Sequence, residues 1–391
     1  MRALDSLNVQ GKRVFIRADL NVPLEGGTVA DATRIDATLP TLRWVLDHGG
    51  RPILASHLGR PKGTPDPKYS LRPVAAYLQQ TLGRPVHLAS DCVGPAAEAT
   101  VAAATPGEVV LLENLRFHPG EEKNDPTFAA QLARLADVYV NDAFGAAHRA
   151  HASTAGMVVH FAERAGGLLL HREVEVLGRL LAGAEKPFVA ILGGAKVSDK
   201  IAVIDHLLDR VQALLIGGAM AYTFLKAQGK PIGRSRVEED RVELARTVLA
   251  DAAAKRVALL LPVDHLAADK PEAGATTRIV SADAFPADLL GVDIGPATAA
   301  RYAQEIETAR TVLWNGPMGI FEIEAFSRGT MAIAEALTRC KGTTVVGGGD
   351  SVAALEKSGK TNAVTHVSTG GGASLEFLEG RTLPGVAALE G

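Results

Sequence analysis

Short runs of uninterrupted apolar residues recur along the chain, separated by longer segments with helical periodicity. In the first half the runs fall at 14–17, 52–55, 86–88, 109–112 and 138–140. In the second half they fall at 188–192, 213–216, 257–261, 311–314, 343–346 and 365–367. The absence of polar alternation predicts strands buried on both faces. Amphipathic segments such as 128–135 and 201–208 lie between them and predict helices. Strand and helix alternating on this scale predicts βαβ units, hence parallel sheets flanked by helices. The fold class is α/β.

The halves differ in the residues at their strand ends. In the first half the strands end in Asp, Asn, His and Arg; in the second they end in paired or tripled glycines. Between them, 166–182 predicts a linking helix with an apolar stripe of Leu168, Leu169, Val174, Leu177 and Leu181. Glu185, Lys186 and Pro187 then open a new strand. The expected organisation is an N-terminal lobe over 1–165, the linking helix, and a C-terminal lobe over 183–379.

Composition narrows the function. The chain has 391 residues, 47% hydrophobic and 22% charged, an ordinary globular balance for about two domains. The net charge of −3 argues against a general nucleic-acid binder. Glycine is in excess, 40 residues, and clusters in loops. The two cysteines, Cys92 and Cys340, lie far apart without metal-ligand spacing and predict buried free thiols. Charges near the N-terminus interrupt any leader-like apolar core, and no run of 18 apolar residues occurs. These features predict a cytoplasmic protein that does not enter a membrane.

Open parallel sheets bind ligands beyond the carboxyl ends of their strands. In the first half, RADLNVP places Asp19 and Asn21 there, and SHLGRP places His57 and Arg60. ENLRFHPGEEKND places Asn114, Arg116 and His118, and NDAFGAAHRAHAST places Asp142, His148, Arg149 and His151. Arg34 stands in ATRID at the head of a helix. Arginine suits bidentate contact with phosphate and carboxylate. Four arginines at one sheet edge predict a small, highly anionic ligand, with Asp19 and Asn21 receiving its hydroxyls. His148 and His151 are expected to add positive potential beside Arg149.

In the second half the strand-end loops read LGGAKVSDK, IGGAMAY, WNGPMGIFE, GGGDS and STGGGAS. Glycine there permits tight turns and lets backbone N–H groups approach an anion. Neither GxxxxGK[ST] nor GxGxxG occurs. Lys196 and Lys200 are placed to reach terminal phosphates, Asp350 to meet Mg²⁺, and Glu322 to receive ribose hydroxyls. The pattern predicts one lobe for a small polyanion and another for a nucleotide. A carboxylate acceptor is already ionised at neutral pH and needs no general base.

Together these segments resemble phosphoglycerate kinase, from RADLNVP through GGAKVSDK, WNGPMG and GGGDS to STGGGASLEFLEG and LPGVAAL, over essentially the whole chain. The resemblance implies two Rossmann-like lobes with a hinge, the tail from about 380 to 391 returning to the N-terminal lobe, and a monomer. It implies reversible phosphoryl transfer between 1,3-bisphosphoglycerate and Mg-ADP, giving 3-phosphoglycerate and Mg-ATP, in glycolysis. Carried over by motif, Asp19, Asn21, Arg34, His57, Arg60, Arg116 and Arg149 bind phosphoglycerate. Gly193, Lys200, Gly291, Asn315, Glu322, Gly348, Gly349, Asp350 and Ser351 bind nucleotide, with Asp350 on the metal. Arg34, Lys196, Lys200, Gly371 and Gly372 serve the transfer. Two positions depart from the common family pattern. Ala219 stands where many members have a third glycine, and His171 stands in the linking helix where many have an acidic residue expected to pair with His366.

Overall fold

In the computed structural model, which describes residues 1–390, the chain divides into two compact units. One comprises 1–175 with 382–391, and the other comprises 176–381. The division falls inside a single helix, Leu168–Ala182. No helix among the described residues is long and apolar enough to cross a membrane.

The first unit is built on β1 (Arg13–Ala18), the hairpin β2 (Leu24–Glu25) and β3 (Thr28–Val29), then β4 (Arg51–Ala55), β5 (Val86–Leu88), β6 (Val109–Leu111), β7 (Val138–Asp142) and β8 (Arg164–Gly166). Six of these form one parallel sheet in the order β5-β6-β4-β1-β7-β8. The central strands are buried on both faces, as their unbroken apolar runs require. Val14 and Ile16 face helix-borne Ile35, Leu39 and Leu42 in the main core. The tail joins this unit: Gly385 N–H donates to Ala147 O at 2.8 Å, and Asn141 Nδ2 donates to Gly385 O at 3.2 Å.

The second unit continues with β9 (Phe188–Leu192), β10 (Ala213–Ile216), β11 (Ala258–Leu260), β12 (Asp264–Ala268), β13 (Thr277–Ser281), β14 (Leu290–Ile294), β15 (Thr311–Asn315), β16 (Thr343–Val346) and β17 (His366–Val367). A parallel sheet runs β11-β10-β9-β15-β16-β17. A separate antiparallel sheet, β13-β12-β14, was not evident in the sequence. Its edge strand β13 is exposed at four of five positions, so it shows no apolar run.

The helix at 168–182 departs from its expected pattern. Gly166 is the last residue of β8, not the start of the helix. The buried positions are Leu170, Glu173, Leu177 and Leu180, whereas Leu168 is 41% exposed. Capping sets this rotation: Asp142 Oδ1 accepts from the N–H groups of Leu169 (2.9 Å) and Leu170 (3.2 Å), and Thr41 Oγ1 accepts from Leu168 N–H (2.9 Å). His171 bonds through Nε2 to Arg2 O at 3.0 Å, and the buried acid of this helix is Glu173, two residues further on.

Candidate active site

In the first unit, the loops after β1, β4, β6 and β7 gather at one sheet edge. A buried arginine that the strand pattern concealed organises them. Arg17 is 1% exposed on β1, because the strand's alternate faces are both covered. Its Nε donates to Ser153 Oγ at 2.7 Å, its Nη1 to Ala18 O, and its Nη2 lies 3.2 Å from His57 Nδ1. Ser153 Oγ in turn donates to the fully buried Glu121 at 2.5 Å. A charged residue inside an otherwise apolar strand, as in VFIRA, is the signal that could have found it.

Around this pair stand the predicted residues. Arg34 Nη1 donates to Asp19 Oδ2 and to Asn21 O, both at 3.3 Å. Asn21 Oδ1 accepts from Gly59 N–H at 2.8 Å, fixing the loop that carries His57 and Arg60. Arg116 is 5% exposed, donates from Nη1 to Gly59 O at 3.0 Å, and lies 3.3 Å from Glu122 Oε1. Arg60 and Arg149 are exposed. Asn114 is buried and structural: its Nδ2 donates to Leu58 O and Tyr69 O.

The electrostatics correct one expectation. Burial, followed by the charges of Arg17, Arg116 and Arg34, pushes His57 well below the ordinary histidine range. Burial and then Arg17, Arg116 and Arg149 push His151 down to about 4. Both imidazoles are neutral at pH 7, so His151 adds no positive potential; the arginines carry the charge. Burial also lowers Arg116, with Glu122 opposing the shift and Arg17 and Arg149 reinforcing it. A cluster of guanidinium groups that depress one another is relieved by a bound anion.

In the second unit, three strand-end loops are laced together by backbone. Gly193 N–H donates to Asn315 O, Gly194 N–H to Pro317 O, Gly218 N–H to Met318 O, and Met220 N–H to Gly194 O, at 3.0–3.1 Å. A Cβ at Gly193 would lie 2.1 Å from Pro317 O, and one at Gly218 would lie 2.5 Å from Gly194 N. These glycines permit close packing. By contrast, Gly349 and Gly371 face open space, and Gly371 takes a φ of +53°. Gly372 begins the helix Gly372–Leu378.

Two adjoining cavities result. The larger, about 650 Å³, is bounded by Ala219, Tyr222, Gly291, Asp293 and Glu322 among others. The smaller, about 340 Å³, is bounded by Lys196, Lys200, Asn315, Gly348, Ser351 and Gly371 among others. Gly194, Ala195, Pro317 and Asp350 border both, so the recess opens into a lysine-lined mouth. In the recess, Gly291 N–H donates to Ser235 Oγ at 2.9 Å, and Tyr222 Oη bonds to His265 Nδ1 at 2.9 Å. A Cβ at Gly291 would come 1.5 Å from Tyr222 Oη. Burial raises Asp293 to about 7 despite bonds from Gly329 and Ile294 N–H groups. Tyr222 closes the IGGAMAY segment without being singled out by it, and Ser235, His265 and Asp293 lie in a loop and an antiparallel sheet that carry no motif.

In the mouth, Lys200 Nζ donates to Asn315 Oδ1. Burial lowers Lys200 to about 8, against the pull of Asp199, Asp350 and Glu379. Ser351 Oγ accepts from Gly316 N–H. The helix Gly349–Lys357 is capped at Gly348 without a side-chain bond, leaving the exposed Asp350 carboxylate uncommitted to capping. An exposed carboxylate on the lysine-lined mouth matches the oxygen chemistry of Mg²⁺, which keeps most of its water and substrate ligands.

Comparison with known proteins bears on the whole chain. The family model described as phosphoglycerate kinase matches residues 4–381. The chain is 60% identical over 386 residues to the phosphoglycerate kinase of Moorella thermoacetica, covering 99% of this chain and 98% of that one. It is 56% identical over 393 residues to that of Anaeromyxobacter sp. (strain K), covering 100% and 99%. Among solved structures, the phosphoglycerate kinase of Coxiella burnetii superposes with a TM-score of 0.90 at 42% identity, covering 100% of this chain and 98% of the other. That of Pyrococcus horikoshii OT3 does so with 0.87 at 31% identity, with the same coverage. Two parallel-sheet units, an arginine-rich sheet edge and a glycine-walled recess thus coincide with likeness along the full chain, which belongs to the phosphoglycerate kinase family.

Proposed function

We propose that the chain catalyses reversible phosphoryl transfer between 1,3-bisphosphoglycerate and Mg-ADP, giving 3-phosphoglycerate and Mg-ATP. The observation that carries this reading is the recess opening onto Lys196, Lys200 and Asp350. It fits a nucleoside within and its phosphates at the mouth.

Phosphoglycerate is held in the first unit by Arg34, Arg60, Arg116 and Arg149, with Asp19, Asn21 and neutral His57 taking its hydroxyl and carboxyl groups. Nucleotide lies along Gly193, Gly291, Asn315, Glu322, Gly348, Gly349 and Ser351. Asp350 is the protein's ligand to the Mg²⁺ of the nucleotide, and that ion, when bound, offsets phosphate charge. A terminal phosphate oxygen of ADP attacks the acyl phosphate, the acyl P–O bond breaks, and the carboxylate leaves already ionised. No proton has to move. Arg34, Lys196, Lys200 and the backbone at Gly371 and Gly372 meet charge on the phosphoryl group in transit. In-line transfer needs reacting atoms about 3–3.5 Å apart, and binding of both substrates together is proposed to bring them there.

Separable sites give the test. By titration calorimetry, Arg116→Ala should lose 3-phosphoglycerate binding while keeping Mg-ADP affinity within about twofold. Asp350→Asn should do the reverse. A tenfold loss of both ligands in either variant contradicts the assignment.

A further inference from the structure

The loop 193–200 carries both lysines of the mouth yet has little internal bonding, chiefly Lys200 N–H to Val197 O at 2.9 Å. Two consecutive N–H groups in its middle turn away from the mouth and end on one carboxylate. Val197 N–H donates to Glu238 Oε2 at 2.5 Å, and Ser198 N–H donates to the same oxygen at 3.2 Å. Ser198 Oγ donates to Glu238 Oε1 at 2.6 Å. Glu238 is itself anchored, because its own N–H donates to the buried Thr223 Oγ1 at 3.2 Å. Thr223 lies on the helix Met220–Ala227, next to Tyr222 in the wall of the recess.

We propose that Glu238 is a positioning residue for phosphoryl transfer: it clamps residues 197 and 198 and so sets where the adjacent Lys196 stands. Lys196 is exposed, and its backbone turn is held by this clamp, by the buried Val197 side chain and by the strand end at Gly194. Burial disfavours ionisation of Glu238, but the bonds from Ser198 and Val197 and the charge of Lys196 outweigh it and hold the carboxyl below its ordinary range. An ionised acceptor makes shorter, stronger hydrogen bonds than a neutral one. Glu238 thus links the lysine loop, through its carboxylate, to the helix beside the recess, through its backbone N–H on Thr223, so both parts of the site share one strut. The inference rests on the reading that Lys196 serves the phosphoryl group in transit.

The test uses the full chain with steady-state kinetics in the 3-phosphoglycerate plus Mg-ATP direction. Displacing a charge by about 1 Å costs on the order of 100-fold in rate, so Glu238→Ala should lower kcat by about 10- to 100-fold. KM for 3-phosphoglycerate, bound by the other unit, should stay within about twofold. Glu238→Gln keeps a carbonyl oxygen for the loop and should recover much of the loss. In a Lys196→Ala background, Glu238→Ala should change kcat by less than about twofold. A purely architectural residue would instead lower Tm and multiply its effect with that of Lys196→Ala. If Glu238→Ala fails to fold, Ser198→Ala, which removes only one of the three donors, should still lower kcat about threefold. A normal kcat in Glu238→Ala, or in Ser198→Ala where the former does not fold, overturns the inference, as does independent multiplication with Lys196→Ala. If Lys196→Ala alone keeps wild-type kcat, the role of Lys196 fails and this inference falls with it. A slow Lys196→Ala beside a normal Glu238→Ala refutes the clamp alone.

Discussion

Lys200 gives the most quantitative handle on the nucleotide mouth. Its ammonium group is held down to about 8, mainly by burial. A phosphate-binding lysine must be protonated, so raising the pH through 8 removes the competent form of the free protein. With a single group at about 8, about one-tenth of the molecules keep the proton at pH 9, and each further unit removes another factor of about ten. The quantity that reports the protein with its nucleotide site empty is kcat/KM for Mg-ATP at saturating 3-phosphoglycerate. It should be level to about pH 7.5, fall to about one-tenth by pH 9, and approach a slope of −1. Bound phosphate raises the lysine, so kcat itself should hold to higher pH. Lys200→Arg, whose charge persists above pH 12, should have a lower value but a level profile. The linked stability has a definite sign. The folded pKa lies below the ordinary 10.5, so the unfolded chain holds more protons between about pH 8 and 10.5. This group's contribution to stability therefore rises with pH across that window. A wild-type kcat/KM level within twofold from pH 7 to 9.5, or the same fall in Lys200→Arg, would refute the reasoning.

Arg34→Ala should lower kcat by on the order of 10³, as loss of a transition-state arginine does; a kcat within tenfold, with only KM raised, would show that Arg34 merely binds. Asp350→Asn should raise KM for Mg-nucleotide while Tm stays nearly constant, because the helix Gly349–Lys357 has no side-chain cap to lose; a large fall in Tm with normal affinity contradicts this. Gly291→Ala drives a methyl to 1.5 Å from Tyr222 Oη, whose bond to His265 must then break. Overpacking and a lost buried hydrogen bond together should destabilise by about 2–4 kcal/mol and raise the nucleotide KM, checked by urea denaturation; an unshifted midpoint would mean that the recess wall yields freely.

The parallel sheets were legible because their strands are buried on both faces and so read as unbroken apolar runs; β9, for one, spans Phe188–Leu192 as expected. The antiparallel sheet was not, because β13 leaves Thr277, Arg278, Ile279 and Ser281 exposed. The helix at 168–182 was recognised, but its buried face was misplaced, since the caps from Asp142 and Thr41 set its rotation and lie far away in sequence. Strand-end arginines announced the anion site through residue type and position. Arg17, the buried guanidinium that helps keep His57 neutral, was hidden within a strand, and its role emerges only once Ser153 and His57 are seen beside it. Glycine doublets pointed to phosphate, yet Gly193 and Gly218 turn out to pack backbone against backbone. Glu238 carries no motif at all, and only folding brings it to Val197 and Ser198.

The central claim is transfer between two dedicated sites, and one assay tests it directly. The purified protein is incubated with 3-phosphoglycerate and Mg-ATP, and acyl phosphate formation is monitored through coupled oxidation of NADH. The account predicts NADH oxidation that requires 3-phosphoglycerate, ATP and Mg²⁺ together and is lost in Arg34→Ala. ATP consumption that continues unchanged without 3-phosphoglycerate, or no NADH oxidised when all three are present, would contradict it.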